Sequence, residues 1–227
     1  MIISHTHRAI FVHIPKTAGT SIATLFEPNL RWNDLVIGGT AFGERIQPAY
    51  LERFGLSKHM RARDIRRVVG PALWEDYFSF AIARHPYRRL VSFYNWKRAA
   101  VSRAAPDSPV WSWPATEAFL QSRSFSEFIR HEKFLTSRAG QPQADWVYDE
   151  DGRNIIDYVG RFEELQTAID TVARRLGFGS TPLGMHNASA ADRPPAELLC
   201  SDDDYHYLHE LYRRDFELFG YDPTLRL

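Results

Sequence analysis

The stretch HIPKTAGTS, residues 13–21, gathers a lysine (Lys16), a glycine (Gly19) and the hydroxyls of Thr17, Thr20 and Ser21. An apolar, β-branched run over Ala9–Ile14 precedes it, and a helix-like apolar pattern at Ile22, Ala23, Leu25 and Phe26 follows. Strand, tight loop and helix start together form a device for holding an anion. Loop N–H groups converge, the helix dipole adds partial positive charge and Lys16 supplies a full one. Lys16, Thr17, Ala18, Gly19, Thr20 and Ser21 are therefore the first candidate binding set. The order is not that of the phosphate loop G-x-x-x-x-G-K-[ST], in which the lysine follows the second glycine. Here Lys16 comes three residues before Gly19 and enters from the strand side.

A second stretch, FAIARHPYRRLVSFY, repeats the theme. A buried strand over Tyr77–Ala83 ends at Arg84, and a helix opening near Pro86 carries Ser92 about two turns in. The planar fork of an arginine and a neighbouring hydroxyl can grip one phosphate.

HIPKTAGTS closely resembles the 5′-phosphosulfate loop of sulfotransferases, especially the family of Golgi carbohydrate sulfotransferases and their bacterial relatives. The second stretch is similar to that family's R-[DN]-P-x-x-R-x-x-S-x-Y pattern. Arg84, Pro86, Arg89, Ser92 and Tyr94 match it, and His85 replaces the usual Asn or Asp. The resemblance assigns the 3′-phosphate of the donor to Arg84 and Ser92, and so implies 3′-phosphoadenosine 5′-phosphosulfate as co-substrate, leaving as 3′-phosphoadenosine 5′-phosphate. The reaction implied is in-line transfer of a sulfuryl group to an acceptor hydroxyl on a glycan or small molecule. Lys16 would stabilise the leaving phosphate, no metal is expected, and the resemblance places the general base at His59 in SKHMRARDIRR. A solvated histidine among basic residues is the competing reading of His59.

Other residues keep two readings. His13 belongs to the loop motif and is expected to shape it rather than react. In GRFEEL, Glu163 could orient a basic residue or cap a helix. His186 and Asn187, in HNAS, resemble a late family motif and could close over the nucleotide or form an ordinary loop. Asp203, His206 and His209 have helical spacing, but YHYLHELYRRDFELFGY resembles the family's last helix and reads as structural. Trp111 and Trp113 could form an acceptor platform or anchor their loop.

Positioning these residues requires a domain with a sizeable core, which 227 residues at 44% hydrophobic can supply. Residues 1–227 are read as one domain of α/β class: three layers, a mostly parallel central sheet flanked by helices, and a P-loop NTPase-like sulfotransferase fold. Further elements are expected at Leu35–Ile37 (strand), from about Asp64 to Val69 and through Trp74 (helices), at Phe125–Arg138 (helix), Ile155–Val159 (strand), Phe162–Leu176 and Asp202–Phe219 (helices). Segments 102–115, 141–154 and 179–197 read as loops, and 40–56 gives mixed signals. Lysine plus arginine and aspartate plus glutamate both number 28, which gives no argument for a nucleic-acid partner. The single cysteine, Cys200, permits no internal disulfide, and its acidic neighbours disfavour a thiolate. No apolar run reaches membrane-spanning length, and a soluble, cytoplasmic, bacterial protein is expected. A P-loop-type small-molecule kinase and a non-catalytic nucleotide-binding protein are the competing functional readings.

Overall fold

The computed structural model describes residues 1–179 and 200–226. In chain order its elements are β1 (Ile2–Ser4), β2 (Ala9–Val12), α1 (Gly19–Phe26), β3 (Leu35–Val36), α2 (Ala41–Phe54), α3 (Ala62–Val69), α4 (Pro71–Asp76) and β4 (Phe78–Ala83). There follow α5 (Pro86–Arg103), α6 (Pro114–Gln121), α7 (Phe125–Arg130), α8 (Glu132–Leu135), α9 (Ala144–Val147), β5 (Tyr158–Arg161), α10 (Leu165–Leu176), α11 (Asp202–Leu211) and α12 (Arg213–Phe219). They fall into two units. The first holds Met1–Arg84 and the described residues from Gln143 to Gly179; the second holds His85–Pro142 and those from Cys200 onward.

The first unit contains the sheet, in the order β3-β1-β2-β4-β5. β2, β4 and β5 pair in parallel, with Val12 opposite Ala81 and Ala83 opposite Arg161. β1 runs antiparallel to both β2 and β3, so it alone is reversed. A short turn through His5–Arg8 can join β1 to β2 because antiparallel neighbours need no crossover, whereas β2 reaches β4 only through α1–α4. The expected α/β architecture is therefore present, with β1 and its reversal as the addition.

β2 and most of β4 are buried at every position, which is why they read as unbroken apolar runs. Phe11, Phe80 and Ile82 pack with Ile22, Ala23, Leu25 and Phe26 of α1 and with Ala168, Ile169, Val172 and Ala173 of α10. Each such large side chain contributes roughly 1.5–3 kcal/mol on burial. A Cβ at Gly160 would lie 2.5 Å from that of Ala168, so α10 rides directly on β5. Asp157 accepts hydrogen bonds from the Ser79 amide (2.7 Å) and hydroxyl (2.8 Å) just before β5. That clasp moves β5 from the expected 155–159 to Tyr158–Arg161, because Ile155 instead donates its amide to Val147.

Several other boundaries differ from expectation. Segment 40–56 is the helix α2, capped by the Thr40 hydroxyl and carrying Pro48 inside it. Pro114 starts α6 within the expected loop, and Ala144–Val147 is one helical turn within the other. The expected helix over 125–138 is broken at His131, and the last helix is broken at Tyr212, whose hydroxyl donates to the Gly140 carbonyl at 2.7 Å. Segment 180–197, with His186 and Asn187, lies outside the described residues.

The second unit is helical, with α5 against α6, α6 against α8 and α11 against α12. Arg89 is buried and donates to the Ala139 (3.1 Å) and Gln141 (2.8 Å) carbonyls. Its motif position therefore serves the packing of this unit. Lys97 is also buried. Its Nζ donates to the Thr116 hydroxyl at 2.8 Å and sits 4.6 Å from the Trp113 ring centre. Burial lowers its amine from 10.5 to about 8. Between pH 8 and 10.5 the unfolded chain holds a proton that the folded chain lacks, so stability rises with pH across that window. Lys97→Met removes the buried charge and should stabilise the protein by roughly 1–2 kcal/mol at pH 7, lost ring contacts offsetting part of the gain. Denaturant unfolding at pH 7 and pH 10 checks this: the variant should be the more stable at pH 7 and should lack the alkaline rise due to Lys97.

Candidate active site

The loop between β2 and α1 is built on alternating backbone handedness. Lys16 and Ala18 both have φ near 67°, in the left-handed region, while Thr17 between them does not. Alternation of this kind turns successive N–H groups toward one point and makes an anion-binding concavity. The strain of two non-glycine residues in that region costs of order 1–3 kcal/mol each. Thr17 holds the turn shut. It is fully buried and its hydroxyl donates to the Ile14 carbonyl at 2.9 Å, so what it can offer an anion is backbone. Thr20 is exposed and Ser21 half-buried, which places two hydroxyls in the first turn of α1, where the helix dipole is positive.

Gly19 opens α1 under a close constraint. A Cβ there would lie 1.7 Å from Nε2 of His13, so no side chain is possible while His13 keeps its place. The His13 ring stacks on Phe11, with ring centres 5.5 Å apart, and its centre lies 4.4 Å from that of His59.

Lys16 and Arg84 come together, as parallel pairing of β2 and β4 requires. The Arg84 backbone is clasped by Gln143, whose side chain accepts from the Arg84 amide (2.9 Å) and donates to its carbonyl (2.7 Å). The guanidinium lies over the Phe162 ring at 4.0 Å, and Nη1 donates to the Lys16 carbonyl at 3.4 Å. Lys16 is half-buried. Burial first, then the charges of Arg84 and Lys58, push its amine down to about 8. A site that holds cations at such cost is built to receive negative charge.

His59 joins this constellation. Its Nδ1 lies 2.9 Å from the His13 carbonyl. A carbonyl only accepts, so Nδ1 carries the proton and Nε2 is the basic nitrogen of the neutral ring. Lys58 beside it donates to Glu44 at 2.6 Å. Buried Leu56 and Met60 anchor the segment on either side.

Ser92 is half-buried on α5 in the second unit. His85 is buried in that unit too, its Nε2 donating to the Asp222 carbonyl at 3.1 Å and its ring packed on Tyr87, Phe216 and Tyr221. Glu163 is exposed on a 3-10 turn, Phe162–Glu164. Trp113 stacks on Trp96 at 5.9 Å, and the indole of Trp111 donates to the Ala105 carbonyl at 2.8 Å. Burial, then the charge of Asp204, lifts the Cys200 thiol to about 12, which leaves it inert as a nucleophile. Among the described residues no group of three or more His, Cys, Asp or Glu is arranged to hold a metal, and no helix is long and apolar enough to cross a membrane. Gln143 and Phe162 were not among the sequence candidates. Only the place of Phe162 directly after a strand that ends beside Arg84 could have singled it out.

A lysine in a concave loop, an arginine on the next parallel strand and an oriented histidine suit transfer of an anionic group to a deprotonated acceptor. The sequence pattern of the sulfotransferase family matches residues 1–222. The chain belongs to the sulfotransferase family. The match spans both loops, the His59 segment and both closing helices. No curated protein and no solved structure matches the chain significantly. As a sulfotransferase, it is a transferase whose acceptor carries a hydroxyl.

Proposed function

We propose that this sulfotransferase takes its sulfuryl group from 3′-phosphoadenosine 5′-phosphosulfate and passes it to a hydroxyl of a carbohydrate, with His59 as the base. The observation that carries the reading is the junction of Lys16 and Arg84, where the guanidinium rests on the carbonyl of the loop lysine. The residues fit the donor chemically: two cations and the N–H groups of an alternating-handed loop suit a polyanion. Bound there, the donor supplies an activated sulfuryl group on a phosphate leaving group.

Lys16, with the first turn of α1 and the hydroxyls of Thr20 and Ser21, would stabilise the leaving phosphate as charge builds. Arg84 would take the 3′-phosphate, and Ser92 is assigned to the same group by its place in the sequence motif. His59 would accept the acceptor's proton at Nε2, its Nδ1–H held by the His13 carbonyl throughout.

Calorimetry with 3′-phosphoadenosine 5′-phosphate, set against ATP with magnesium, tests this. The bisphosphate should bind more tightly than ATP, and Arg84→Ala should weaken it by about 30-fold or more, the loss of a charge-assisted pair. Preference for ATP, or indifference to Arg84→Ala, would overturn the reading and favour a kinase.

A further inference from the structure

His13 stands in the loop motif as a residue expected to shape the backbone. Its surroundings assign it more. The ring touches both halves of the proposed chemistry. On one side its Nε2 fills the space that a side chain on Gly19, the first residue of α1, would need. On the other its ring centre is 4.4 Å from that of His59. It is 7% exposed, and among the described residues no hydrogen bond is made by either ring nitrogen; the His13 bond to His59 is made by the backbone carbonyl. Neither ring nitrogen is fully enclosed, so the imidazole N–H is open to a hydrogen-bond acceptor that a ligand brings.

In-line transfer fixes where that partner would be. The accepting oxygen lies at His59 and the leaving oxygen at Lys16 and the start of α1, so the sulfuryl group passes between them. A side chain that contacts His59 and Gly19 together flanks that path. We infer that His13 is a further catalytic residue of the proposed transfer, a neutral imidazole whose Nε2–H donates to a sulfuryl oxygen.

The inference rests on the donor and base assignments above. The sulfur bonds to the acceptor oxygen, its bond to the phosphate oxygen breaks with the electron pair staying on phosphate, and the acceptor's proton goes to His59. His13 keeps its own proton. Burial, with the charges of His59, Lys58 and Lys16 adding to it, holds His13 well below the usual histidine range and so in the neutral form this role needs. A neutral imidazole donates one hydrogen bond without competing for the acceptor's proton, so the two histidines divide the work.

The test is nitrogen-15 NMR of the imidazoles in the whole protein, supported by kinetics. The protonated nitrogen of His13 should shift when 3′-phosphoadenosine 5′-phosphosulfate is added and stay in place with 3′-phosphoadenosine 5′-phosphate, which lacks the sulfuryl group. His13→Leu should lower donor turnover, read as sulfate released to water, by about 100-fold, with bisphosphate affinity within about threefold. His13→Gln, which keeps a donor, should recover at least about tenfold of that loss. Equal shifts with both nucleotides, an affinity loss in His13→Leu as large as its rate loss, or a Gln variant no faster than the Leu variant would each overturn the inference. If wild-type protein binds neither nucleotide, the donor reading and this inference fall together; if it binds both and the shifts are equal, the inference alone falls.

Discussion

Lys16→Met should cut sulfuryl transfer by about 1,000-fold or more while weakening bisphosphate binding only about tenfold. The asymmetry comes from when the charge is needed. In the proposed ground state the loop N–H groups and Arg84 would share the anion. As the bond to sulfur breaks, new negative charge collects on the oxygen facing Lys16, and only an interaction that strengthens then lowers the barrier. Methionine keeps the stem and removes the charge, so the left-handed turn at residue 16 should survive. The proton linkage gives an independent check. Burial and the neighbouring charges of Arg84 and Lys58 push the Lys16 amine down to about 8, and in the proposed site it is the protonated form that would bind the anion. Below pH 8 this group leaves affinity flat. Above it, affinity falls by up to about tenfold per pH unit until the raised value of the bound state is reached. Lys16→Met should lack that decline. Calorimetric titrations from pH 6.5 to 9.5, with single-turnover rates, measure both quantities. Equal losses in rate and affinity would remove Lys16 from the leaving-group role.

The second large effect belongs to His59. His59→Asn retains an N–H donor for the His13 carbonyl and loses the nitrogen that takes the proton. Turnover should fall by about 100- to 10,000-fold with bisphosphate affinity unchanged. An Asn variant retaining more than a tenth of the wild-type rate would show that His59 serves only to hold the loop.

The strand, turn and helix around Lys16 were legible because a buried apolar run followed by a small-residue turn leaves few alternatives, and the place of Arg84 followed from a second strand of the same kind. Their meeting follows from parallel pairing, since Val12 beside Ala81 brings both strand ends to one edge. What stayed hidden was everything set by distant chain. Gln143 clasps Arg84 from 59 positions away, and nothing local marks it. Helix α2 was illegible for a different reason. It buries only Gly43 and contains Pro48, so neither periodicity nor propensity declares it. β1 was missed because three residues are too few to show alternation, and α6 because Pro114 reads equally as loop punctuation and as a helix opening. His59 was singled out by the family resemblance, which says nothing of its tautomer, because that depends on a carbonyl 46 residues earlier.

The contact between His13 and Gly19 has a consequence for anyone who diversifies this loop. The imidazole occupies the volume that any side chain at position 19 would need, so the two positions share one allotment of space. A library that randomises residue 19 alone should return glycine almost without exception. Larger residues there should be recovered only with a smaller partner at position 13, and such pairs would give up the imidazole for the side chain.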